Sequence, residues 1–253
     1  MNRQGHTALA LLAGSATSVA ALSASPMSTT LEVIGFGGVI CAASIMGGLA
    51  PDLDHKTSTA SQKLQLSSGK RKLMRALSGI FLFIGCVWIL LGYSIQVGAI
   101  WIGAGIMAGS LARLRTIILI ASGALMLIGY AMYDWHWIAL FTGIALFIMP
   151  FVKHRWIIHS PEFAIVLSLG LFVFGSQHPG LVMASCLGFI AGWWSHLFGD
   201  IFGSDGIRSL FVPKFKIALR LFNNGGAAER MISKLCQLVA IAIWIFYGAV
   251  LYF

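Results

Sequence analysis

Apolar runs of roughly 16–22 residues recur along the chain, close to the length a helix needs to cross a bilayer. They fall at about 7–24, 32–50, 74–92, 95–112, 116–133, 135–152, 161–176, 181–202 and 235–253, with short polar segments between them. No run shows the strict alternation of a β-barrel strand. Lipid offers backbone N–H and C=O groups no partner outside the segment itself, so the runs are predicted to be helices. The weakest signals are the first run, rich in Ala, Ser and Gly, and the short run after Ser160-Pro161. The predicted fold is all-α: a polytopic transmembrane helix bundle of about nine spans. It forms a single integral membrane domain over 1–253, with cytoplasmic surface segments at 51–75 and 203–234.

Composition agrees with this pattern. The chain is 58% hydrophobic and only 10% charged, against roughly 25% charged in soluble domains. Charge then gives the spans a direction. All 17 Lys and Arg fall on alternate connections: Arg3, six in 51–75, Arg113 and Arg115, Lys153 and Arg155, and six in 203–234. The opposite connections hold Glu32, Asp134, His136 and His178. By the positive-inside rule the basic side is cytoplasmic, which places the N-terminus inside and the C-terminus outside. The same sidedness accounts for the net charge of +9 without a nucleic-acid partner. Arg3, an apolar run and Ser23-Ala24-Ser25 also resemble a signal peptide. The run's weak hydrophobicity and small residues favour a retained, packed helix.

Cys41, Cys86, Cys186 and Cys236 stand singly in apolar runs. Neither a thiolate zinc site nor a structural disulfide is expected of them. In the eighth run Gly188, Gly192, His196 and Asp200 are spaced by four and share one slowly drifting face. The glycines permit close helix approach, which turns the polar pair inward. Gly105 and Gly109 form a second small-residue pair, read as packing. In 203–234, Lys214–Phe222 alternates loosely and Asn223–Gly226 is a turn signal. A small ribbon over 207–222 is the first reading and a surface-lying amphipathic helix the second.

The remaining polar residues gather on the basic side. His6 opens the first run. Asp52, Asp54 and His55 follow Pro51, which ends the second helix near Ala50 and leaves irregular chain. His154, Arg155 and His159 lie between runs six and seven, and Ser160-Pro161-Glu162 reads as a helix start. His196 and Asp200 end run eight. Ionisable groups near the bilayer are costly and usually functional. Imidazole and carboxylate donors without thiolates suit zinc, or else Mn or Fe. Eight candidate ligands, His6, Asp52, Asp54, His55, His154, His159, His196 and Asp200, exceed one tetrahedral site and would serve two or three divalent ions. Such sites promote phosphoester cleavage.

Each residue also has an ordinary reading. Any one His can be a satisfied structural residue, and Asp52 or Asp54 can cap a helix end or pair with Lys56. Asp205-Gly206 is a turn signal, Arg155 a positive-inside anchor, Glu229 an acid in a helix's first turn, and Trp193 and Trp194 packing or interfacial aromatics. His136 and His178 belong to the far face.

In their order, Gly5-His6, Pro51-Asp-Leu-Asp-His55, His154-Arg155 with His159-Ser160, His196-x-x-x-Asp200 and Asn224-Gly-Gly-x-x-Glu229 resemble the YdjM-like family of bacterial inner-membrane proteins. That family is described as predicted metal-dependent hydrolases. The resemblance runs from residue 5 to 229 and implies an inner-membrane location and a metal site. The use of an N-terminal His, an Asp and a helical His-x-x-x-Asp is also similar to phosphoesterases of the zinc phospholipase C type. Runs between about 74 and 152 look additional to the motif-bearing parts.

The leading expectation is a membrane-bound, metal-dependent hydrolase acting on a phosphoester, lipid or lipid-linked, at the cytoplasmic membrane interface. Asp54 or Asp52 would be the general base and Arg155 the phosphate-binding cation. Two other readings stay open: a non-catalytic membrane protein with a structural metal, and a transporter. Ligands at helix ends rather than at the bilayer midplane weigh against transport.

Overall fold

The computed structural model describes residues 1–24, 29–54, 61–62, 64–152, 157–203, 206–212 and 214–252. Among them nine α-helices of twelve residues or more run in sequence. They are α1 (Arg3–Ala24), α2 (Thr30–Leu49), α3 (Ser68–Leu90), α4 (Ile95–Ala112), α5 (Leu114–Tyr133), α6 (Trp137–Ile148), α7 (Pro161–Gln177), α8 (Leu181–Phe202) and α9 (Ala227–Tyr252). Seven are long and apolar enough to cross a membrane, and α6 and α7 are shorter apolar helices. The protein is an all-α transmembrane bundle, and its helices follow the nine apolar runs of the sequence.

The ends differ from the hydropathy pattern where polar groups cap the helices. α1 begins at Arg3, because Asn2 Oδ1 accepts from Gly5 N at 2.9 Å. His6 therefore lies inside the first turns of α1. α9 begins at Ala227 and takes in Glu229. α7 starts as its sequence predicts: Ser160 Oγ accepts from Phe163 N at 3.2 Å, with Pro161 in the first turn. The chain after α2 is more regular than expected. Pro51–Asp54 forms one 3-10 turn, with Leu53 N donating to Ala50 O at 3.0 Å. A proline lacks the N–H that would continue the α-helix but fits a tighter turn.

Small residues decide which helices touch. α8 lies against α2, α1 and α7, and α1 also packs on α2 and α9. A Cβ on Gly188 or Gly192 would strike the backbone carbonyls of Ile40 or Ser44, and one on Gly47 would strike that of Phe189. The α2–α8 crossing is thus backbone against backbone. α3 and α4 form a separate hairpin, held by Gly85, Gly98 and Gly105 against Ile102, Ile89 and Leu82. α5 and α6 pair through Gly123 and Gly143. The main apolar core, which includes Phe163, Leu167, Trp193 and Leu197, sits where α5 to α8 meet.

The 207–222 segment is a minimal ribbon. β1 (Ile207–Arg208) pairs antiparallel with β2 (Lys216–Ile217). Beyond it, Leu219 N and Leu221 N donate to the carbonyls of Ile201 and Phe202. The ribbon thereby satisfies acceptors that the end of α8 would otherwise leave open. Glu162 ties it to α7, accepting from Leu210 N at 3.0 Å and from Ser209 Oγ.

Candidate metal centre

Four separate pieces of chain meet at one end of the bundle. The start of α1 delivers His6, and the 3-10 turn after α2 delivers Asp52. The residue pair before α7 delivers His159, and the last turns of α8 deliver His196 and Asp200. His6, His159, His196 and Asp200 are 1%, 1%, 0% and 0% exposed, so the cluster is interior, and Asp52 is its partly exposed member.

The separations are informative. His196 Nε2 lies 3.3 Å from His159 Nε2 and 3.5 Å from Asp200 Oδ2. His6 Nε2 lies 3.5 Å from Asp200 Oδ1, and His159 Nε2 lies 3.8 Å from Asp200 Oδ2. Asp52 Oδ1 stands 4.0 Å from His196 Nε2. Direct charge-assisted hydrogen bonds are shorter, about 2.7–2.9 Å. A tetrahedron built on ~2.1 Å metal–ligand bonds has edges of ~3.4 Å, within the range seen here. Two overlapping triads meet the requirement for a shared ion: His159, His196 and Asp200, and His6, Asp52 and His196. These buried groups could hold a metal ion.

The orientation of His196 fits that role. Its Nδ1 lies 2.7 Å from Gly48 O, one of the last carbonyls of α2. A carbonyl only accepts, so Nδ1 carries a proton, and Nε2 is the ring nitrogen that faces the cluster. Metal-ligating histidines are commonly held by such a bond. His6 stacks on the other face of the ring, with centroids 3.8 Å apart and planes 13° apart. The carboxyl-terminal ends of α2 and α8 both point here, and their partial negative charge favours a cation.

The chain belongs to the YdjM inner membrane protein family. The match covers residues 1–253. No curated protein and no solved structure matches it. Of the eight expected ligands, the structure brings five of this YdjM-family chain together: His6, Asp52, His159, His196 and Asp200. Asp54 shares the 3-10 turn with Asp52, but its side chain lies outside the described residues, as do His55, His154, Arg155 and Asp205. His136 and His178 are at the opposite helix ends. His136 Nδ1 caps α6 by accepting from Ile138 N, and His178 Nδ1 lies 2.9 Å from Phe174 O.

Other groups that brace the site emerge only in three dimensions. Glu229 is fully buried. Its Oε1 accepts from Asn2 N and its Oε2 from Gly225 N, both at 2.6 Å. It thereby ties the start of α1, which carries His6, to the turn before α9. Gly5 is required there, because a Cβ would lie 2.6 Å from Glu229 Oε1. Arg115, read from sequence as a charge-sidedness residue, is 3% exposed. Its guanidinium donates to Leu53 O and to Ser61 Oγ, which clamps the turn bearing Asp52. The α-amino group of Met1 is 3.3 Å from Asp200 Oδ1. An Arg in the first turn of an apolar run was the one available signal for the clamp; nothing local marked the Gly48 carbonyl.

Proposed function

We propose that this protein is a membrane-bound, metal-dependent hydrolase of phosphoesters at the cytoplasmic membrane interface. The observation that carries the reading is the convergence of His6, Asp52, His159, His196 and Asp200 in two overlapping triads, the donor atoms of each lying within 4.8 Å of one another. The three imidazoles and two carboxylates would hold one or more divalent ions, zinc first by donor type. Such an ion supplies Lewis acidity toward a phosphoryl oxygen and activates water at neutral pH.

The chain's own residues supply the rest. The buried walls around His196 keep bulk water away, and approach is from the Asp52 side, where exposure begins. Gly48 O fixes the His196 ring, and Arg115 holds the Asp52 turn. Asp54 is the proposed proton acceptor for the attacking water, and Arg155 the proposed phosphate-binding cation. In the balanced reaction, water oxygen bonds to phosphorus, the ester P–O bond breaks, and a proton reaches the leaving alcohol. In the sequence, all 17 Lys and Arg fall on the same set of connections as His6, Asp52, His159 and the end of α8, which supports a cytoplasmic orientation.

Metal content of the purified protein, followed by hydrolysis of phosphatidic acid and of phosphodiester lipids in vesicles, tests this. Wild-type protein is expected to carry zinc and release phosphate or alcohol, and His196→Ala to lose both. Zinc-free preparations with full turnover would sink the reading. A second reading, a structural metal without turnover, draws on the near-complete burial of four of the five ligands. Intact zinc with no turnover on either substrate class would favour it.

A further inference from the structure

A second feature adjoins the cluster. An elongated cavity of 1240 Å³ lies between α2, α6, α7 and α8. Its near end is walled by Leu49, Leu53, Ile158 and Trp193. These are the sequence neighbours of Gly48, Asp52 and His159, and the residue one turn before His196. From there it follows α7 from Phe163 to Gln177 and finishes beside Asp134 and His136. Fourteen residue steps of helix correspond to ~21 Å, more than the ~15 Å depth of one hydrocarbon leaflet. Between its ends the lining is apolar except for Thr142, whose hydroxyl is already bonded to Ile138 O at 2.6 Å. Apolar walls of this kind exclude water, whereas hydrocarbon wets them. Two of its lining residues, Met46 and Trp135, are exposed at the outer surface of the bundle.

Charge distinguishes the two ends. Arg3 lines the cavity at the cluster's end, and Asp134 lines it at the other. A lipid lying along the cavity sets its anionic headgroup beside Arg3 and away from Asp134, with its tail along α7. We propose that the cavity holds the acyl chain of an anionic glycerophospholipid whose headgroup reaches the His/Asp cluster. The substrate then enters laterally from the cytoplasmic leaflet. This rests on the hydrolase reading above for its chemistry, but not for the binding itself.

The test uses full-length protein in phosphatidylcholine vesicles doped with phosphatidylglycerol bearing a diazirine on its acyl chain. After illumination, peptides are mapped by mass spectrometry and metal content is measured in parallel. Label is expected on cavity-facing Leu146, Leu167 and Leu171 in preference to outward-facing Phe83 and Leu90 of α3. Ala139→Trp and, as a milder plug, Leu171→Trp should cut that label about tenfold, a factor worth ~1.4 kcal/mol, while leaving zinc content unchanged. Even labelling of cavity and outer surface, or no loss in either plug, overturns the proposal. Preferential labelling by a diazirine polyprenyl phosphate overturns the phospholipid assignment. If His196→Ala loses zinc and turnover was never present, the hydrolase reading falls while wall labelling still upholds the acyl-chain site.

Discussion

α8 and α3 are helices of nearly equal length, 22 and 23 residues, and both are apolar enough to span a membrane. Their surroundings differ sharply. In the most apolar stretch of α8, 44% of residues are buried, against 6% in α3. Gly192 of α8 sits on the Ser44 carbonyl of α2, whereas Gly79 of α3 has no atom within 4 Å of where its Cβ would be. Phe83 and Leu90 of α3 are exposed. The lesson is that close approach is not enough, since α3 also meets α4 backbone to backbone at Gly85; a site forms where several helix ends that carry His and Asp are packed together. Without a hydrophobic force between helices in lipid, small residues and polar contacts decide which helices associate. The helices that deliver ligands, α1, α2, α7 and α8, form a continuous set of packed neighbours, with α9 joined through α1.

The contrast can be broken or sharpened by substitution. The largest effect is expected for His196→Ala, which removes the donor shared by both ligand triads. Zinc affinity should fall at least about 100-fold, the upper end known for mere supporting residues. Calorimetric zinc titration checks it, and retained affinity would mean the ligands lie elsewhere. Next, Gly192→Ala should destabilise the bundle by about 2 kcal/mol, since a backbone carbonyl cannot yield as a side chain would; unfolding in mixed micelles measures this.

Glu229→Gln keeps the shape but leaves one amide oxygen for two N–H donors and turns an NH2 donor toward the other. A loss of about 1.5 kcal/mol is expected, together with weaker zinc binding because α1 is less firmly held. Arg115→Lys should cost about 1 kcal/mol. A lysine ammonium cannot reproduce the guanidinium fork on Leu53 O and Ser61 Oγ. If Arg115→Lys melts like wild type and binds zinc equally well, the clamp has no role. Gly79→Ala completes the series with no effect beyond about 0.5 kcal/mol. A cost similar to that of Gly192→Ala would erase the proposed difference between the two regions.

Much of this architecture is local and therefore readable along the chain. Spans are visible because hydrocarbon accepts only long apolar helices, and every Lys and Arg falls on alternate connections of that span pattern. The pairing of His196 with Asp200 follows from helical spacing, and its inward aim from Gly188 and Gly192, whose backbone contact with α2 the structure bears out. Helix ends were less legible. Asn2 and Glu229, distant in sequence, jointly extend α1 and α9 beyond their apolar runs.

What sequence could not supply was distance between segments. Residue types nominated eight ligands, but spacing along the chain says nothing of how four separate helix ends meet. Only the packed bundle places His6 on the face of His196, His159 at its Nε2 and the Gly48 carbonyl at its Nδ1. Only there does Arg115 turn from a sidedness charge into a clamp. Hydropathy and charge act residue by residue and are written into the chain. The candidate ligand cluster joins side chains as far apart in sequence as His6 and Asp200, and close helix packing alone brings them within reach.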